Sequence, residues 1–250
     1  VFGNAAAGIA VGGSNARPHL VGNVLYGIPG GTAADDQTNG IVIDATSVDA
    51  VVGGNETYDH AEAGILARGP GGIISGNDVH GNAVGIDVGL AGYAAPQSVA
   101  GNVVHDNRRT GIAASGSAVV TVTGNDVRGQ NAAGAVGIAA SGPIQVSGNT
   151  VRDNTSGIVV TNSSAAAGNR VFANTVGIVA ESNALVSANK VFSNSTGIRV
   201  GWWSTARVLD NLVYANTDRG MMIQGGDWSR GPVVIGNTVY QPVGDGVRIE

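Results

Sequence analysis

Asn149-Thr-Val-Arg-Asp-Asn154-Thr-Ser-Gly157-Ile-Val-Val is followed, 20 residues on, by Asn169-Arg-Val-Phe-Ala-Asn174-Thr-Val-Gly177-Ile-Val-Ala and then by Asn189-Lys-Val-Phe-Ser-Asn194-Ser-Thr-Gly197-Ile-Arg-Val. A repeat of this length, made of short β-branched runs closed by Asn and Gly, specifies a solenoid, because one unit cannot bury a core alone and must stack on its neighbours. Aligned on the first Asn of the phrase, the coils begin at Asn23, Asn55, Asn77, Asn102, Asn125, Asn149, Asn169, Asn189, Asn211 and Asn237, after a partial coil from Val1. The intervals stretch from 20 to 32 residues. The surplus falls just before or just after the Gly-Ile strand, at corners where a loop swells without shifting the register of the strands.

Alternation within a coil assigns the faces. In Gly-Ile-x-Val the Ile and Val point inward and the middle residue outward. The strand before each Asn turns Val122, Val146, Val186 and Val208 inward, and the strand after it does the same with Val127, Val151, Val171, Val191 and Val213. Three short strands per coil, each paired with its equivalent about 4.8 Å away, predict an all-β chain: a single-stranded, right-handed parallel β-helix of about ten coils, roughly 50 Å long. The repeat runs nearly end to end and predicts one domain over 1–250. The chain starts inside a repeat and stops just after a Gly-Val-Arg-Ile strand, which reads as an excised or processed part of a longer protein. The two Asn columns, at the coil starts and five residues later, are expected at corners, where Asn tolerates a left-handed backbone and its amide can join a ladder.

Composition agrees with stacked strands. Gly supplies 41 of 250 residues and charged residues only 12%, which disfavours helices, where each Gly costs about 1 kcal/mol against Ala. The net charge is −5, with the few basic residues dispersed; that is no nucleic-acid footprint. The absence of cysteine excludes disulfides and thiolate metal sites, and no apolar run reaches the length of a membrane span.

The phrase Gly-Asn-x-Val-x-x-Asn-x-x-Gly-Ile-x-Val, covering essentially the whole chain, resembles the right-handed parallel β-helix repeats of carbohydrate-binding and sugar-hydrolysing proteins. Mannuronan epimerases, pectate-lyase-like enzymes and the periplasmic β-helix proteins of copper-enzyme maturation belong to that group. The resemblance implies a substrate groove along one sheet, with a base, a charge neutraliser and often Ca²⁺ held by outward residues. It also implies a secreted or cell-envelope location in a bacterium. Here the outward middle positions of the Gly-Ile strands read Ala10, Val42, Leu66, Asp87, Ala113, Ala139, Val159, Val179, Arg199, Met222 and Arg248. The middle of that face offers no acid, base or cation.

Three features carry chemistry. Toward the N-terminal end, Tyr58, Asp59, His60, Arg68, His80 and Asp87 fall on neighbouring coils, and proton abstraction beside a uronate needs these residue types. Asp59, His60, Arg68, His80 and Asp87 are the candidate catalytic residues; on the structural reading, His60 instead replaces a ladder Asn. Near the other end, all three tryptophans lie in insertions at one corner: Trp202, Trp203 and Trp228, with Arg199, Asp227 and Arg230 beside them. Flat indoles stack on sugar rings while polar neighbours take the hydroxyls, so these six are the candidate carbohydrate-binding residues. The third feature is an outward column, three residues after each first Asn, that sorts like with like: Tyr26, Tyr58, His80, His105, Arg128, Arg152, Phe172, Phe192, Tyr214 and Tyr240. Stacking along a ladder explains the sorting. Asp35-Asp36 offers part of a Ca²⁺ site but falls short of the roughly 6–8 oxygens that ion takes.

Three functions follow as expectations. The first is a rigid, non-catalytic envelope module that contacts polysaccharide through the tryptophan corner. The second is a uronan epimerase or polysaccharide lyase acting over the N-terminal coils. The third is a fibre subunit that self-associates end to end or laterally through its strand edges.

Overall fold

The structure is a computed structural model that describes residues 1–4, 6–14, 16–28, 37–90, 95–225 and 230–250. It is a right-handed parallel β-helix of about ten coils. Among the described residues three parallel sheets run along it: the first has 11 strands and carries the Gly-Ile segments, and the second and third have 10 each. One 20-residue coil shows the plan, with Ser156–Thr161 in the first sheet, Ala165–Ala167 in the second and Arg170–Phe172 in the third. Among the described residues there is no helix.

Register is kept by identical side chains sitting over one another. Ile138, Ile158, Ile178 and Ile198 pair in line on the first sheet, and Val151, Val171, Val191 and Val213 on the third. All eight are fully buried. Each such side chain contributes about 1.5–3 kcal/mol on burial, and a slip by one residue would turn the whole column outward. The glycine before each Ile is required by packing. At Gly177 a Cβ would lie 2.5 Å from the Gly197 carbonyl oxygen and 2.9 Å from Val191 Cγ1, so the coils close only around a residue without a side chain.

The first Asn column is a continuous ladder. Oδ1 of Asn169 accepts from the backbone N–H and the side-chain amide of Asn149, at 3.0 and 2.9 Å, while that same amide donates to Val122 O at 2.9 Å. The pattern repeats from Asn23 to Asn237. The second column repeats it through Asn154, Asn174, Asn194 and Asn216. His60 and Gln130 stand in that column, their backbone N–H groups donating to Asn82 Oδ1 and Asn154 Oδ1.

One expectation about the corners is corrected. The left-handed residue is the one before each ladder Asn, not the Asn itself: Gly148, Gly168, Ala188 and Asp210 before the first column, and Asp153, Ala173, Ser193 and Ala215 before the second, all with φ between 50° and 65°. Asn is therefore placed by its amide bonds, and the strained backbone falls on its neighbour. The outward position at Val179 also departs from the simple alternation, being only 2% exposed.

Candidate functional site

Two regions of the solenoid bring chemically capable side chains together. The first lies on the outer face of the third sheet. Strands Glu56–Tyr58, Asp78–His80 and Val103–His105 pair so that Tyr58, His80 and His105 lie one above another. Their rings stack at 4.9 Å between Tyr58 and His80 and at 4.8 Å between His80 and His105, nearly parallel. Residues two apart in a strand share a face, so Glu56 and Asp78 project beside the rings. His80 Nε2 lies 3.5 Å from Glu56 Oε1, and His105 Nε2 lies 3.1 Å from Asp78 Oδ1. His105 Nδ1 is 2.7 Å from Asp106 Oδ2. Desolvation between its neighbours, then the charge of Glu56, raises the Tyr58 phenol above its ordinary range. The ligating atoms of Asp78, His80 and His105 all fall within 4.8 Å of one another.

The five residues singled out for acid/base chemistry do not meet in one place. Arg68 and Asp87 form a two-pronged ion pair, at 3.0 and 2.8 Å, on the outer side of the first sheet, near a second pair between Arg109 and Glu62 at 2.7 Å. Together these line a shallow cleft with Leu66 and Val84. His80 belongs to the third sheet. His60 is wholly buried in the second ladder column, its ring against Gly40, where a Cβ would lie 2.7 Å from Nε2. Asp59 occupies the left-handed corner before it, with its carboxylate laid over Gly81. Nearby on the first sheet's edge, Asp44 Oδ1 accepts from the backbone N–H and the hydroxyl of Thr46, which holds its carboxyl below the usual range.

The second region is the turn after Thr196–Val200. Trp202 and Trp203 are 55% and 64% exposed and share a cleft of about 510 Å³ with Glu181, Ser182, Arg199 and Gln224. The backbone N–H of Trp203 donates to Gly225 O at 3.1 Å, and the Trp202 ring lies over Gly225, where a Cβ would sit 3.5 Å from it. The turn is thus tied to the next coil. Among the described residues Arg199 makes no ion pair. Arg230 is exposed. Asp227 and Trp228 lie outside the described residues, as do Asp35 and Asp36.

Sequence reasoning found the histidines and the tryptophans but passed over the carboxylates beside them. The i, i+2 spacing of Asp78 and His80 carried that signal, because it sets both on the outer face.

The pattern of sheets, ladders and corners has a family counterpart: a model described as "Periplasmic copper-binding protein (NosD)" matches residues 16–184, more than half of the chain. The chain belongs to the NosD family. No curated protein sequence matches it. Among solved structures, the A-module of the mannuronan C-5 epimerase AlgE4 from Azotobacter vinelandii superposes with a TM-score of 0.52 at 14% identity, covering 96% of this chain and 83% of that one. The complex structure of XylC with xylose gives 0.51 at 16% identity, covering 70% of this chain. The chain spans 38% of the length of that protein. Both likenesses are to the fold.

Proposed function

We propose that this NosD-family chain is a rigid, non-catalytic module of the cell envelope that holds an extended polysaccharide at the cleft formed by Arg199, Trp202 and Trp203. The reading rests on one observation: two adjacent indoles are more than half exposed, beside an arginine that makes no ion pair among the described residues. Exposed indole faces cost solvation, and a sugar ring stacked on them recovers it while Arg199, Glu181 and Gln224 take hydroxyls. The periplasmic name of the family supports an envelope location, and two fold neighbours, an epimerase of mannuronan and a protein bound to xylose, are consistent with a saccharide occupant. A non-catalytic role agrees with the outer face from Ala113 to Val159, lined by Ala, Ser, Thr and Val, and with an Arg68 already occupied by Asp87.

Tryptophan fluorescence titrated with uronan and neutral oligosaccharides tests the proposal, with unsaturated product followed by ultraviolet absorbance and epimerisation by proton NMR. The expected result is saturable binding without turnover, weakened about tenfold, or about 1.4 kcal/mol, in each of Trp202→Ala and Trp203→Ala. Turnover of any glycan, or binding unchanged in both variants, would overturn it.

A further inference from the structure

We infer that the outer face of the third sheet binds a second copy of this chain, the two solenoids running antiparallel about a two-fold axis at Asp126. Each coil puts two residues on this face. One belongs to the ring column of His80 and Phe172. The other, two residues earlier, belongs to a column whose charge changes sign along the solenoid: Glu56 and Asp78 toward the N-terminal end, Arg170 and Lys190 toward the C-terminal end. Asp126 stands midway, two coils from Asp78 and two from Arg170. It is likewise three coils from Glu56 and three from Lys190. Acid and base are therefore placed symmetrically about one coil. Arg170 and Lys190 are exposed, and among the described residues neither makes an ion pair.

A two-fold axis lying across this face turns one copy end for end and keeps each column over itself. Asp78 then faces Arg170 of the second copy and Glu56 faces its Lys190, and each contact is made twice, as in any isologous dimer. The same operation sets Val24 over Leu212, which are 48% and 38% exposed and lie four coils to either side of Asp126. In the ring column, Tyr58 meets Phe192 and His80 meets Phe172. One choice of axis thus matches opposite charges and brings apolar and aromatic surfaces together. At the axis the charges are already offset within each copy: Asp126 lies 2.9 Å from Arg128 and 3.5 Å from Arg152, which also holds Asp153 at 2.9 Å. Parallel pairing would instead set acid beside acid and base beside base, which is repulsive. Eight coil steps of about 4.8 Å separate Val24 from Leu212, and a strip roughly 38 Å long and about 10–13 Å wide offers about 400–500 Å² per copy, near the size at which specific interfaces begin. The dimer is accordingly of micromolar strength and dependent on salt. The tryptophan cleft lies outside the third sheet, beside Arg199 of the first, and stays open.

Sedimentation velocity of the full chain over a concentration series, with light scattering for mass, tests the assignment. A reversible dimer is expected, weakened at least about tenfold by raising salt from about 0.05 to about 0.5 M. Asp78→Arg and Arg170→Asp should each weaken association at least about tenfold. The variant carrying both should regain wild-type association, because each reversed residue again faces its opposite. Glu56→Lys and Lys190→Glu, alone and together, repeat the test at an independent position. Arg207→Asp, on the second sheet, serves as the control and should change nothing. Circular dichroism confirms that each variant is folded. A wild-type chain that stays monomeric throughout the series, single reversals that associate like wild type, or folded double reversals no better than the singles would overturn the assignment.

Discussion

The outward stripe of the third sheet carries Tyr58, His80 and His105 toward one end of the solenoid and Phe172, Phe192 and Tyr214 toward the other. The geometry is the same in both places. His80 and His105 stack at 4.8 Å and 12°, and Phe172 and Phe192 at 5.0 Å and 6°. What differs is the flank: carboxylates beside the histidines, and beside the phenylalanines the Arg170 guanidinium, 4.4 Å over the Phe172 ring. The first region gathers lone pairs and negative charge, whereas the second gathers apolar faces and a cation satisfied by π-electrons. Ring spacing is thus a property of the backbone ladder, and chemistry belongs to whichever residues occupy it.

If the scaffold is uniform under both regions, its loss should cost the same in each. Asn102→Ala, beneath the histidines, and Asn189→Ala, beneath the phenylalanines, each strip the amide that bridges neighbouring coils. Each should lower stability by about 3 kcal/mol, since buried donors and acceptors left unpaired cost about 1–3 kcal/mol apiece. Equilibrium urea unfolding measures both, and unequal values would break the comparison. A smaller effect distinguishes the stripes themselves. Phe192→Ala loses two ring neighbours and should cost about 1–2 kcal/mol, while His80→Ala, with a smaller and more polar ring, should cost less; the reverse order would break the comparison. The smallest expected effect has the opposite sign. Ala188 holds φ +53° at a position where Gly168 serves one coil earlier, so Ala188→Gly should raise stability by up to about 1 kcal/mol.

Much of this architecture was legible in the sequence because solenoid physics writes it repeatedly. The period, the inward Ile and Val columns and the Asn ladders each recur coil after coil. The left-handed corner was not assigned correctly, because Asn is equally plausible as a strained residue and as a ladder amide. Only the structure separates Asn189, which carries the hydrogen bonds, from Ala188, which carries the strain. The scatter of Asp59, His60, Arg68, His80 and Asp87 over two sheets and a buried corner was also hidden. Proximity in coil number says nothing about which side of the solenoid a residue faces, and His60 shares a column with buried amides. The carboxylates around His80 and His105 were overlooked because they are unremarkable in isolation; Asp78 gains meaning only beside the histidine of the next coil.

The proposed saccharide cleft at Trp202 and Trp203 and the stack of Tyr58, His80 and His105 stand on one uniform ladder several coils apart, and only the first is expected to hold a glycan. Calorimetric titration of one binding oligosaccharide into the wild-type chain, the Trp202→Ala/Trp203→Ala variant and the His80→Gln/His105→Gln variant tests it most directly. Binding lost in the tryptophan variant and retained in the histidine variant is the predicted result. Binding that survives without the tryptophans, or disappears without the histidines, would contradict it.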